Sequence, residues 1–278
     1  MNYYCFIAGM ADVKIDNQKS APDMQLMLNE LQEVLTKGDM ALLNLLRMEY
    51  DNQNIIKYIA NTDAELNALG TLTSNDLAEL TTNIDNGDIE NIENDSRFAK
   101  YLIELYSEYS NDKGTEKIET LEDRLAALYY EYGMECKNSF VKSWFEFNLN
   151  INNIITALTC RKHEWDIKSK IVGDNDIANT IRNSTSVRDF NMKGSFDYFD
   201  QVMAIFETPN LLDRERRIDA LKWEWLEDKT FFNHFSIERI LAFWLRCQLI
   251  HRWDNLSMEE GAEIFRSIIN ELKGGIKF

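Results

Sequence analysis

The sequence predicts an all-α protein. Three observations carry that expectation: two prolines and eleven glycines in 278 residues, an abundance of Leu, Glu, Ala, Lys, Met and Ile, and apolar residues recurring at three-to-four spacing almost throughout. The length suits one large domain or two small ones. The expectation is a single all-helical domain over 1–278.

The helices are expected in this order. Ser20-Ala21-Pro22-Asp23 opens the first long one, with Ser20 as cap and Pro22 in its first turn, running to Thr36 through Leu26, Met27, Leu31, Val34 and Leu35. Lys37-Gly38-Asp39 breaks it, and helices over 39–50 and 51–60 follow. Thr73 and Ser74 cap a helix over 74–84, and 95–110 carries Phe98, Leu102, Leu105, Tyr106 and Tyr109 at helical spacing. From Glu116 to Lys168 there is no proline and one glycine, Gly133. This stretch is expected to form one very long helix or two nearly collinear ones, roughly 75 Å of rod at 1.5 Å per residue, in an elongated molecule. Gly173-Asp174-Asn175-Asp176 starts a shorter helix, 196–207 forms another, and Thr208-Pro209-Asn210 is a turn. Three helices close the chain over 211–228, 236–253 and 257–273, the last opened by a capping box at Ser257–Glu260 and ended by Gly274-Gly275.

Phe235–Trp253, FSIERILAFWLRCQLIHRW, is apolar on more than one side. Ile237, Ile240, Leu241 and Trp244 form one stripe, and Phe243, Cys247 and Ile250 a second. The helix is expected at the centre of a core. It is not a membrane span, because Glu238, Arg239, Arg246 and Arg252 interrupt it. The opening MNYYCFIAGMADVKID lacks the basic start and long apolar run of a signal peptide. No direct membrane insertion is expected.

The 47 acidic against 30 basic residues give a net charge of −17, which repels nucleic-acid phosphates and anionic lipids, so no nucleic-acid partner is expected. Residues 61–125 carry sixteen Asp and Glu against five Lys and Arg, whereas 211–278 carry twelve against eleven. Cys5, Cys136, Cys160 and Cys247 lie far apart without a C-x-x-C pair and read as reduced cytoplasmic cysteines.

A polar motif recurs. Asp51-Asn52-Gln53-Asn54-Ile55-Ile56 returns 99 residues later as Asn150-Ile151-Asn152-Asn153-Ile154-Ile155, and a degenerate Gln248-Leu249-Ile250-His251 follows after 98 more. Three related helical units are implied, centred on 51–59, 148–158 and 243–253. In the first two copies the polar pair lies at i and i+3, on one helix face. If that face is buried, the amides need partners, and backbone groups of a neighbouring loop are the expected ones.

Chemistry-bearing motifs are sparse, and no catalytic, cofactor-binding or metal-binding residue is assigned. Asn175, Asp176, Asn179 and Thr180 begin like the second magnesium motif of all-α terpene-type synthases, but Asn183 stands where a glutamate ligand belongs. Asp197 and Asp200 do not complete the Asp-rich first motif, so a metal-dependent all-α enzyme is a remote alternative. His163, His234 and His251 lack metalloprotease spacing, His234 and Glu238 at i,i+4 lack a third ligand, and no nucleophile elbow or phosphate loop is present. No small-molecule substrate is expected. Trp223 and Trp225 project about 200° apart around their helix, which marks one of them as a candidate interface residue.

The closing segment FSIERILAFWLRCQLIHRWDNLSMEEGAEIFRSIINEL resembles the C-terminal signature of the C/d family of central-stalk subunits found in V-type and A-type rotary ATPases. Leu241-Ala242-Phe243 stands for that family's L-A-Y, Gln248-Leu249 for its E-I, and Leu256–Glu260 for the start of its last helix. Asn150–Leu158 resembles its D-L-x-N-I-x-T-A-L, Tyr50–Ile55 the first-domain version, and YYCFIAGM its tyrosine-rich opening helix. The chain as a whole is similar to a bacterial family of unknown function that accompanies V-type ATPase subunits. The departures are Asn150 for Asp, Gln248 and His251 for Glu and Asn, and residues 61–125, which match little.

The resemblance implies a funnel-like assembly of three related helical units without a catalytic site. It also implies a coupling role, in which the protein sits on the cytoplasmic end of the membrane rotor ring and receives the central stalk. The implied partners are therefore other V-type ATPase subunits, and the implied place is the cytoplasm, peripheral to the inner membrane through protein contacts. A free-standing helical scaffold is the alternative.

Overall fold

A computed structural model describes residues 3–17, 21–111, 118–192 and 194–253. Among them the chain is all-helical, with one isolated bridge between Lys14 and Asn17 and no strand. The helices in order are α1 (Tyr4–Gly9), α2 (Met24–Val34), α3 (Lys37–Ala60), α4 (Ser74–Asn86), α5 (Ile89–Glu93), α6 (Lys100–Asn111) and α7 (Ile118–Met134). Then come α8 (Ser139–His163), α9 (Ile167–Lys170), α10 (Asp176–Asn183), α11 (Phe199–Phe206), α12 (Leu211–Thr230) and α13 (Ile237–His251). The chain divides into two compact units. One runs from Thr36 to Glu215; the other joins residues up to Leu35 with those from Arg216 onward.

Local capping chemistry sets several boundaries. The start of α2 is capped by Asp23, whose carboxylate accepts from Gln25 N and Leu26 N at 2.9 Å each. Pro22 therefore lies just outside the helix; the expected cap Ser20 lies outside the described residues, as does the helix expected over 257–273. Lys37-Gly38-Asp39 does not break the chain into separate helices at 39–50 and 51–60. Thr36 Oγ1 accepts from Asp39 N at 3.2 Å, so these residues form the first turn of one 24-residue helix, α3. No proline or glycine stands near 50–51, and Asp51 is satisfied within the fold, so the helix runs on through them. The start of α4 carries the full capping box, with Asp76 N donating to Thr73 Oγ1 and Thr73 N donating to Asp76 Oδ2.

The rod expected over 116–168 is instead a hairpin. The chain turns at 135–138, where Asn138 Oδ1 accepts from Val141 N at 3.1 Å and starts α8 afresh. The two helices run back along each other: Phe145 packs edge-on against Tyr129 with centroids 4.9 Å apart, and Asn152 Nδ2 donates to Tyr130 Oη at 2.7 Å. Antiparallel return buries aromatic faces that a straight rod would leave in water, and each large apolar side chain so buried contributes about 1.5–3 kcal/mol. Gly133 makes the contact possible, since a Cβ there would overlap the Phe145 ring.

In the Thr36–Glu215 unit, α4, α6, α7 and α8 pack in succession, α3 lies against α4 and α7, and α9, α10 and α11 cover α8. One apolar cluster in it gathers Ile55, Leu77, Leu80, Leu102, Leu105 and Leu121, all at or below 2 % exposure. In the other unit α13 is the buried centre. Ile240, Leu241, Ala242, Trp244, Cys247 and Ile250 are wholly buried there, on both stripes of the helix.

Candidate functional site

The recurring polar motif is a pair of clasps that seat a loop against a helix. In the first, Asp51 and Asn54 lie one turn apart on α3, both fully buried. Asp51 Oδ1 accepts from Thr71 N at 2.7 Å and Leu72 N at 3.0 Å, while Oδ2 accepts from Thr71 Oγ1 at 2.7 Å. Asn54 Oδ1 accepts from Asn67 N at 2.7 Å and its Nδ2 donates to Asn67 O at 3.0 Å. One turn earlier on α3, Arg47 donates through Nε to Leu69 O at 2.9 Å and through Nη2 to Gly70 O at 2.7 Å. The loop from Asn67 to Leu72 thus has its donors met by carboxylate and amide oxygens and its carbonyls by a guanidinium.

The charge state of this clasp follows from burial. Desolvation is the largest influence on Asp51 and pushes its carboxyl above the usual 3.8; hydrogen bonds from Thr71 and Leu72 and the charge of Arg47 act in the opposite direction. Desolvation likewise holds Arg47 below its ordinary value, against the pull of Asp51. Gly70 belongs to the same fit. A Cβ there would stand 2.6 Å from Asp51 Oδ1 and 2.8 Å from Asn54 Nδ2.

The second clasp uses the same positions of α8 on the loop entering α10. Asn153 Oδ1 accepts from Val172 N at 2.9 Å and its Nδ2 donates to Val172 O at 2.8 Å, the same two-ended grip that Asn54 has on Asn67. Asn150 Oδ1 accepts from Asn175 Nδ2 at 2.7 Å, and Asn175 Oδ1 caps α10 by accepting from Ala178 N at 2.9 Å. Here the guanidinium comes from the far side of the loop: Arg182 Nη2 donates to Ile171 O at 2.9 Å and Gly173 O at 2.6 Å. Gly173 has φ +73°, in the left-handed region.

The third position puts Gln248 and His251 on α13. His251 Nε2 lies 2.9 Å from Pro22 O, so this side chain meets a segment before α2. Gln248 lies in the buried α13, and the loop that would correspond to the other two falls outside the described residues. The structure therefore brings Asp51 with Asn54 and Asn150 with Asn153 into matching clasps, and gives His251 another backbone partner.

Trp223 and Trp225 are both buried, at 8 % and 2 % exposure, so neither indole stands free for a partner. The Arg246 guanidinium lies 5.3 Å from the Trp223 ring, Trp223 Nε1 donates to Glu227 at 3.0 Å, and Lys229 lies 5.8 Å from the Trp225 ring. Both sides of α12 are covered here, which the two indole directions reflect. Of the residues weighed as magnesium ligands, Asn175 is the cap of α10, Asn179 Nδ2 donates to Asp174 O, and Thr180 Oγ1 donates to Asp176 O. Among the described residues no group of three or more His, Cys, Asp or Glu side chains gathers as a metal ion requires, and no helix is long and apolar enough to cross a membrane.

Sequence reasoning did not single out Arg47, Gly70, Gly173 or Arg182. Arg47 carried a signal, since it precedes Asp51 by four residues on one face of α3. The two glycines follow Asn54 and Asn153 by 16 and 20 residues, so no common spacing ties them to the motif.

Residues 1–276 match the family model described as protein of unknown function (DUF2764). The chain belongs to that family. No curated protein and no solved structure matches it. In this DUF2764 protein the carboxylate of Asp51 and the amide of Asn54 are engaged by loop backbone and by Thr71, so the first clasp positions helices rather than presenting reactive groups.

Proposed function

We propose that this protein is a non-catalytic coupling subunit of a V-type rotary ATPase, linking the central stalk to the membrane rotor ring. The observation that carries this reading is the clasp built twice, 99 residues apart, at Asp51 with Asn54 and at Asn150 with Asn153. These residues lie in the segments that resemble the repeated helices of the C/d family. A coupling element must transmit torque without yielding, and a loop fixed at both its donors and its carbonyls resists displacement of one helix against the next. In this reading the protein stays on the cytoplasmic side of the inner membrane and is held there by contacts with other ATPase subunits.

Affinity capture of the tagged full chain from native membranes tests the proposal. Rotary ATPase subunits are expected among the recovered proteins in stoichiometric amounts. Recovery of the chain with no rotary ATPase subunit, from membranes that contain the enzyme, overturns it.

A further inference from the structure

The unit containing both chain ends has a small, partly open hollow of about 200 Å³, lined by Ile7, Met10, Ala11, Asp12, Val13, Arg239, Phe243 and Arg246. Arg239, Phe243 and Arg246 fall at i, i+4 and i+7 of α13 and so share one face of that helix. Two guanidiniums therefore flank an aromatic ring, facing the segment that follows α1.

These arginines are incompletely neutralised. Arg246 is 7 % exposed, its Nε is buried with no hydrogen-bond partner among the described residues, and its ion pair to Glu227 is long at 3.6 Å. Glu227 is already an acceptor for Trp223 Nε1 at 3.0 Å. Arg239 Nη1 reaches Thr230 Oγ1 at 3.4 Å. Burial, and then repulsion from Arg239, hold the Arg246 guanidinium below its ordinary value; Glu227 and Asp12 oppose this. Among the described residues Asp12 is the single carboxylate in the lining, against two arginines. Beyond the Trp223 ring at 5.3 Å, this largely buried cation has, among the described residues, that one long ion pair, so an anion brought beside its outer nitrogens would be favoured.

We infer that this hollow binds a carboxylate carried on a short apolar stem, with Arg239 and Arg246 holding the anion and Ile7, Met10, Val13 and Phe243 enclosing the stem. At about 200 Å³ the hollow falls below the roughly 300–1,000 Å³ of sites that take drug-sized ligands. Ile7, Met10, Val13 and Phe243 offer an apolar stem contacts that inorganic phosphate would not use. The carboxylate could belong to a free acid or to an acidic side chain, and the test distinguishes them.

The full chain is titrated, at constant ionic strength, with glutarate, with an end-capped Gly-Glu-Gly tripeptide and with inorganic phosphate. Binding is followed by the side-chain Nε–Hε signals of arginine in NMR. Saturable shifts with either carboxylate support the inference, and the tighter of the two names the source. R239Q is expected to weaken that binding about ten-fold. D12N, which removes the competing carboxylate, is expected to tighten it roughly two- to five-fold. R239Q leaves the more buried Arg246 in place, so folding is not the readout, and D12N moves affinity in the direction that a merely structural effect does not explain. No saturation by either carboxylate, tighter binding of phosphate than of both, or unchanged affinity in R239Q and D12N overturns the inference.

Discussion

Asn54 grips the backbone of Asn67 at both ends of its amide, accepting from Asn67 N at 2.7 Å and donating to Asn67 O at 3.0 Å. Asn153 does the same to Val172. The side chain supplies to a loop the two bonds that a neighbouring strand would supply in a sheet.

Truncating either amide should therefore unfold more than a local contact. N54A or N153A removes two bonds from a half-buried backbone N–H and carbonyl, although Asn67 O keeps a bond from Gly70 N at 3.2 Å, so the loss is about 1–3 kcal/mol. Urea denaturation of each variant measures it. A loss below about 0.5 kcal/mol in both would show that the loops seat themselves without the clasp.

Asp51 and Asn150 occupy equivalent positions with different charge, and this predicts a tolerant substitution. In D51N one amide oxygen can keep the bonds from Thr71 N and Leu72 N, while the new amide can donate to the Thr71 hydroxyl. The change should cost less than about 1 kcal/mol at pH 7, whereas D51A strands three donors and should cost about 3 kcal/mol or more. The pH dependence has a definite sign. Burial raises the folded pKa above the unfolded 3.8, so between the two values the folded state holds more protons. The contribution of Asp51 to stability thus rises as pH falls through its folded pKa, and D51N should remove that part of the slope. An identical stability–pH profile for the wild type and D51N would sink this account.

Much of this was legible in the sequence, for a physical reason. The pairing of Asp51 with Asn54 and of Asn150 with Asn153 shows there because i,i+3 spacing is local and the polar residues interrupt an apolar face. Their partners do not show, because a backbone N–H or carbonyl has no residue type: Asn67 and Val172 fill the same role with unrelated side chains. The merging of 39–50 with 51–60 was illegible for the opposite reason. Gly38 looks like a breaker, yet in the first turn of a helix its cost is offset by the Thr36 cap.

Glycine substitutions in the two loops should fail in different ways. G70A drives a methyl group into Asp51 Oδ1 and Asn54 Nδ2, at 2.6 and 2.8 Å, so the clasp itself must open, at about 1–3 kcal/mol. G173A meets Leu149 Cδ2 at 3.1 Å and also adopts φ +73°, which costs about 1–2 kcal/mol in backbone strain. Thermal unfolding compares them. In an N54A background the cost of G70A should shrink, while that of G173A should not, because only the first shares atoms with the removed amide.

The tyrosines between α3, α6 and α7 predict alkaline behaviour. Tyr101 Oη donates to Asn52 Oδ1 at 2.7 Å and Tyr129 Oη to Leu45 O at 3.0 Å. Burial first, then the nearby Asp51 and Glu49 charges respectively, raise both phenols well above 10.0. Tyr106 is pushed up to about 12, chiefly by burial and then by Asp85. Their contribution to stability is fully present below the unfolded value near 10 and is lost as pH rises beyond it, because the unfolded chain releases its protons first. Absorbance at about 295 nm should show one phase near pH 10 from accessible tyrosines. A later phase should coincide with loss of helical circular dichroism. All eleven tyrosines ionising in one reversible step with helicity intact would contradict the packing described.

Gly133 decides between the hairpin and a rod by the sign of one measurement. In the interior of an exposed straight helix, G133A would stabilise by about 0.8–1 kcal/mol through helix propensity alone. In the hairpin the added methyl overlaps Phe145, which is 3 % exposed and packed edge-on against Tyr129, so the ring cannot swing into solvent. G133A should then destabilise by about 1–3 kcal/mol. Coupling sharpens the test: F145A alone opens a cavity and costs about 3–5 kcal/mol, but it also removes the obstacle, so adding G133A to F145A should be neutral or favourable. A stabilising G133A in the wild-type background, with no coupling to Phe145, would mean that α7 and α8 do not return along each other.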